Sequence, residues 1–263
     1  MNKKEIIRCL QACLNECADH QWYQKRKNKV VKVFDDTFRF DKGTTQGHIG
    51  IIGKPEKTAY VVFEGSKDEQ GNADWCGATG NFNFLKVAPY ADNCEITKKI
   101  KTKIKVHRGN LNAYKTVKDN IFKILFDIQP SIVYGTGHSK GCSLAELFCE
   151  NIGFHVHKNN KFKLYKKILS ITYVGSAGNR TGNQAFINSL LENINEHIKL
   201  WVGEDPVPKV PWPIFGYRHP PNCKRLNNTE AIFPLTLLRF INPIGWPFDH
   251  YPDLILKMAK KQL

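Results

Sequence analysis

A chain of 263 residues that is 41% hydrophobic, with 16 Phe, 9 Tyr and 5 Trp, holds enough material for one large core, which excludes a disordered polymer. Lys and Arg outnumber Asp and Glu by 39 to 24, a formal charge of +15, so either the surface attracts phosphate-bearing polymers or anionic membranes, or the excess is a composition bias that only keeps the chain soluble. Residues 1–21 contain no apolar run followed by a small-residue cleavage site. The eight cysteines are therefore read as reduced thiols of an intracellular protein.

Ile6, Ile7, Leu10, Cys13, Leu14 and Cys17 recur at helical spacing, which predicts an amphipathic helix over 4–19 with Cys9, Cys13 and Cys17 as small buried hydrophobes. The whole chain, 1–263, reads as a single domain, within which residues 1–29 are this helix and a basic linker. The segments "KVVKVFDDTFRF", "GHIGIIG" and "TAYVVFEG" are rich in β-branched and aromatic residues between turn formers and predict three strands. "IKTKIKVHRG" alternates Ile100, Thr102, Ile104 and Val106 with Lys101, Lys103 and Lys105, the pattern of a strand with a lysine face. Then come a helix in "LNAYKTVKDNIFKILFDI", a buried strand in "SIVYG", a helix in "KGCSLAELFCENI", a strand in "KILSITYVG", a helix in "NQAFINSLLENI", a strand in "EHIKLWVG" and a last helix from Asp253. Strands alternating with helices imply an α/β fold with a mostly parallel central sheet and helices on both faces. The apolar stretch 231–248 is broken by Pro234, Pro243 and Pro247 and so cannot be a spanning helix.

Residues 137–141, Gly-His-Ser-Lys-Gly, fit G-x-S-x-G between a predicted strand and a predicted helix, the context of a nucleophile elbow. Gly137 and Gly141 permit a turn so tight that side chains there would collide. Ser139 is thereby held out, with the amide of Lys140 opening the helix toward a developing oxyanion. The dinucleotide fingerprint and the phosphate loop both fail on this segment. A serine hydroxyl needs a histidine to take its proton and a carboxylate to orient that histidine, in the chain order Ser, acid, His. Asp205, at the end of a predicted strand, is preferred over Glu204 as the acid. His250, in "WPFDHYPD", is preferred over His219 as the base. Gly65-Ser66, ending the strand "YVVFEG", offers a second oxyanion donor at Ser66.

These segments together resemble the class 3 lipases, the fungal-type triacylglycerol lipase family of α/β-hydrolases. The likeness runs over roughly 30–260 through "VVFEGS", "VHRGNLNAY", "TGHSKGCSLAEL", "YVGSAGNRTGNQAF", "DPVPKVP", "GYRH" and "DHYP". It implies an α/β-hydrolase fold with Ser139 as nucleophile, Asp205 as acid, His250 as base and Ser66 with the Lys140 amide as oxyanion donors, and it calls for no cofactor and no metal. Three positions depart from the family pattern. Glu64 stands where arginine is usual, and Lys140 and Cys142 replace Leu and Gly beside the serine, so the elbow also resembles lipase-like hydrolases with Gly-His-Ser-Lys-Gly. The segment where the family carries its lid, 67–80, is polar apart from Trp75.

The expected function is hydrolysis of acyl esters of lipids by a lipase or phospholipase-like enzyme. The segments "PVPKVPWPIF" and 231–248 are candidate acyl-pocket walls, and Lys140, Lys101, Lys103, Lys105 and "KNNKFKLYKK" are candidate contacts for an anionic membrane. A catalytically silent lipase-like scaffold for protein binding is the main rival. A basic nucleic-acid-binding module is the weaker one, since no recognition motif accompanies the charge.

Overall fold

The computed structural model describes residues 2–17, 32–42, 45–53, 57–65, 83, 85–87, 103–157, 167–227 and 250–263. In chain order these form α1 (Lys3–Cys17), β1 (Asp36–Lys42), β2 (Thr45–Ile52), β3 (Thr58–Phe63), β4 (Lys86–Val87), β5 (Val106–His107), α2 (Arg108–Ile128), β6 (Ile132–His138), α3 (Lys140–His157), β7 (Ser170–Ser176), α4 (Gln184–Asn193), β8 (Glu196–Val202), β9 (Cys223–Leu226) and α5 (Pro252–Gln262). Seven strands pair in the order β1-β2-β3-β6-β7-β8-β9. The β1-β2 and β2-β3 pairs are antiparallel; from β3 to β9 every pair is parallel.

Burial on both faces explains why the central strands read as nearly continuous apolar runs, Tyr60–Phe63 in β3 and Ile171–Val174 in β7. One face carries α2, α3 and α4 over a core that includes Phe63, Phe148, Ile121 and Phe186. The other carries α1 and α5 over Tyr60, Val62, Leu200 and Val202. Parallel strands of this kind point their carboxyl ends the same way, and the loops after β3, β6, β7 and β8 therefore gather along one edge.

Over its described residues, from 103 onward, the predicted lysine-faced strand does not form as expected. Of its described part, only Val106 and His107 are strand, and α2 starts at Arg108. Two side chains redirect the backbone. Asn183 accepts from the Lys105 N–H at 3.1 Å and donates to the Lys103 carbonyl at 2.7 Å, taking polar groups a ladder would use. His107 caps α2, its Nδ1 accepting the Asn110 N–H at 3.3 Å. Residues 18–31, Lys101, Trp75, 158–166 and 231–248, which carried other expectations, lie outside the described residues. Strands β4 and β9, short and charged, had no periodicity to announce them.

The thiols follow from the packing. Cys9, Cys13, Cys142 and Cys149 are free and buried, and burial raises each thiol pKa, that of Cys142 to about 12. A maleimide at neutral pH should leave these four unmodified in the native protein and label them after unfolding, with peptide mass spectrometry as the readout. Labelling of the native protein at any of them would contradict this packing.

Candidate active site

Strand β6 runs into α3 through Ser139 alone, and the turn is forced into a left-handed backbone with φ +56° at that serine. Its neighbours leave no room for side chains. A Cβ on Gly137 would lie 2.3 Å from the Gly141 carbonyl, and one on Gly141 would lie 2.4 Å from the Phe63 carbonyl of β3. The Ser176 carbonyl holds the turn, accepting the Ser139 N–H at 3.0 Å and the Cys142 thiol at 3.1 Å. Cys142 fits because glycines stand opposite: a Cβ on Gly178 would lie 2.2 Å from Cys142 Cβ and one on Gly175 2.6 Å from its sulfur.

His250 lies between the other two expected residues. Its Nε2 is 3.0 Å from Ser139 Oγ and its Nδ1 2.9 Å from Asp205 Oδ2. A carboxylate can only accept, so Nδ1 carries the proton and Nε2 is left to accept from the serine hydroxyl. Asp205 is 1% exposed, and its second oxygen accepts the Val207 N–H at 2.9 Å. The imidazole also packs against His138 with ring centroids 4.8 Å apart, while His138 Nδ1 lies 3.1 Å from Ser176 Oγ. Lys140 is the first residue of α3, where helix amides point outward from the helix end, and its side chain is buried, so it is no surface cation. Gly65 borders the serine, a Cβ there lying 3.8 Å from Ser139 Cβ; Ser66, the other expected donor, is outside the described residues.

His219, the alternative base, is turned to another task. Its Nε2–H donates to the Pro208 carbonyl at 2.6 Å and its ring stacks on Trp201, which fixes the loop following Asp205. Arg180 fixes the same loop from the other side, donating to the carbonyls of Lys209 and Pro211.

A buried polar cluster that the sequence did not announce ties these parts together. Glu146 on α3 accepts from Lys199 Nζ and His197 Nε2 of β8, each at 3.0 Å, and from the Thr181 hydroxyl. Lys199 also donates to the Asn179 carbonyl at 2.7 Å, and Ser143 donates to Asn179 Oδ1 at 2.5 Å. Burial would raise the Glu146 carboxyl, but Lys199, His197 and Thr181 outweigh it and hold the pKa down at about 2. Lys199 is correspondingly raised by Glu146 against its own burial, and His197 is lowered by burial and stays neutral. The available signal was a charged residue inside each of two otherwise apolar elements, "SLAELF" and "HIKLWV".

Within the expected acyl-pocket wall after Asp205, Pro208 and Pro211 are buried, whereas Trp212 is 57% and Ile214 84% exposed. A groove of about 590 Å³ lined by Ile6, Leu191, Glu196, Ile198 and Lys224 lies at the amino end of β8, opposite Asp205. Among the described residues, no helix is long and apolar enough to cross a membrane and no cluster of side chains has metal-ligand character.

With this geometry in hand, comparison with known proteins decides the family. The family model described as Lipase (class 3) matches residues 60–215, more than half of the chain. The chain belongs to the class 3 lipase family. A curated relative, "Secreted mono- and diacylglycerol lipase 1" of Fusarium solani, is 33% identical over 174 residues, which cover 61% of this chain and 45% of that protein. The chain thus matches less than half the length of this relative. Lipase II from Rhizopus niveus superposes with a TM-score of 0.60 at 23% identity over 94% of this chain and 92% of that one. The triacylglyceride lipase of Rhizomucor miehei superposes with 0.59 at 20% identity over 85% and 79%. The fold of this class 3 lipase family member is the α/β-hydrolase fold with a mostly parallel central sheet.

Two measurements check the surroundings of the site. Glu146→Leu alone, stranding the buried ammonium, should cost about 3–5 kcal/mol in urea unfolding, and Glu146→Leu with Lys199→Met should restore most of it. His219 should dominate part of the acid response: burial first, then Lys199, lower it from 6.5 to about 3. The unfolded chain therefore binds a proton that the folded chain refuses across that interval, and stability falls as pH drops through it. Urea midpoints measured from neutral pH downward should decline less steeply for His219→Gln.

Proposed function

We propose that this chain is a serine ester hydrolase that cleaves acyl esters of lipids, as a lipase or a phospholipase-like enzyme. The observation that carries the reading is the chain of contacts from Asp205 through His250 to Ser139, 2.9 and 3.0 Å long. His250 Nε2 takes the hydroxyl proton as Ser139 Oγ attacks the ester carbonyl, and Asp205 stabilises the resulting imidazolium. The tetrahedral oxyanion is received by the Lys140 amide at the start of α3, with Ser66 as the second donor. His250 then passes the proton to the leaving alcohol, leaving an acyl group on Ser139. Water, deprotonated by the same imidazole, releases the carboxylic acid and restores the hydroxyl. Class 3 lipase membership, and likeness to a Fusarium solani protein named as a mono- and diacylglycerol lipase, support lipid esters as the substrate class. The free thiols among the described residues support a reducing compartment.

The test is labelling with a fluorophosphonate probe and hydrolysis of a short-chain p-nitrophenyl ester. Wild type should label and turn over, and Ser139→Ala should do neither. Asp205→Asn should lower kcat by about four orders of magnitude with KM little changed. Labelling that persists in Ser139→Ala would place the nucleophile elsewhere and sink the proposal.

A further inference from the structure

Of eight exposed large apolar side chains among the described residues, four lie on a single turn, whereas Phe38, Phe126 and Leu169 are dispersed over β1, α2 and the approach to β7. Val210, Trp212, Ile214 and Phe215, on the turn that follows the Asp205 loop, are 38%, 57%, 84% and 41% exposed, and Leu85, next to Lys86 of β4, is 60% exposed. Trp212 and Phe215 form a ring pair with centroids 6.1 Å apart, so the residues make a patch and are not scattered. The turn is firmly built. Pro211 and Pro213 restrict it, Gly216 closes it with φ +77°, and the arginines beneath grip its carbonyls: Arg180 donates to Pro211 at 3.1 Å and Arg218 to Pro213 at 2.8 Å. A patch held this way pays little ordering entropy when it is covered.

The charge around it that is not paired off is positive. Arg180, Arg218 and Lys86 adjoin the turn, Lys86 Nζ lying 2.6 Å from where a Gly216 Cβ would be and 6.0 Å from the Tyr217 ring centroid. Among the described residues none of the three forms an ion pair with a carboxylate, whereas nearby Lys209 and Arg225 are both neutralised by Glu204. Protruding Trp, Ile and Phe with cations set behind them match a bilayer surface. The apolar groups reach the acyl boundary, the indole lies among headgroups, and the guanidinium and ammonium groups meet phosphates.

We propose that the turn 210–216, with Leu85, Lys86, Arg180 and Arg218, is a docking surface for anionic phospholipid bilayers. The turn follows Asp205 on the carboxyl edge of the sheet, so docking there turns the edge bearing Ser139 toward the membrane. The inference rests on the ester-hydrolase reading for its purpose and on the surface alone for the binding.

The experiment is co-sedimentation with large vesicles of phosphatidylcholine alone or with about 30 mol% phosphatidylglycerol, at about 50 and about 500 mM NaCl. Wild type should partition onto the anionic vesicles about tenfold or more over neutral ones, and less at high salt. Ile214→Glu and Trp212→Ala should each lose about tenfold in partitioning while keeping the wild-type Tm and the wild-type rate on a soluble short-chain ester. Lys86→Glu should weaken binding to anionic vesicles and flatten the salt dependence. Equal partitioning onto both vesicle types overturns the proposal, as does unchanged partitioning of Ile214→Glu and Trp212→Ala. A concentration-dependent dimer that Ile214→Glu dissociates, in a wild type that ignores vesicles, overturns it in favour of a second copy of this chain. A wild type that binds anionic vesicles yet neither labels with fluorophosphonate nor hydrolyses the soluble ester would remove the hydrolase reading and leave the docking intact.

Discussion

A carboxylate and an ammonium buried against each other join the two elements on which the site depends. Glu146 lies two turns into α3, the helix that Ser139 opens into, and Lys199 lies on β8, the strand that ends just before Asp205. Neither charge has access to water, so each tolerates burial only while the other stays in place. The loop after β7 is drawn into the same contact through Asn179 and Thr181, and the residue between them, Arg180, reaches outward to the loop beyond Asp205. One network of polar contacts thereby fixes serine-bearing helix, acid-bearing strand and acid loop relative to one another, at the edge of a sheet whose apolar packing alone would allow small sliding.

The elbow is a second constraint of the same kind, set by shape where the first is set by charge. Phe63 of β3 passes so close to the start of α3 that only glycine fits at 141, and the serine between the two glycines takes a backbone conformation that ordinary residues avoid. Cys142 is accommodated beside the turn without displacing the serine, because Gly175 and Gly178 on the facing strand and loop leave the space it fills.

Much of this was legible in the chain because its signals are local. Apolar runs bounded by turn formers disclosed β3, β6, β7 and β8, and the periodicity of 111–128 disclosed α2. G-x-S-x-G together with the order Ser, Asp, His singled out three residues that the fold brings within hydrogen-bonding distance. What was not legible depends on partners far away in sequence. The lysine alternation in 100–107 reads as a strand until Asn183, some 80 residues later, takes the backbone groups. The choice between His219 and His250 rested on loop position, and the physical difference, a neutral imidazole pinned to the Pro208 carbonyl, exists only once the chain is folded. Glu146 and Lys199 each interrupt an otherwise apolar element, and their pairing could not be read from either segment alone because each is explained only by the other.

The outermost of the described strands add a property of the sheet. β1 borders the sheet with Asp36, Arg39, Asp41 and Lys42, and β9 borders it with Lys224 and Arg225 exposed. A neighbouring molecule that added its own strand to either side would have to strip water from these ionic groups. These two edges are thus poor templates for edgewise growth, and crowded copies that meet there face ionic groups before backbone.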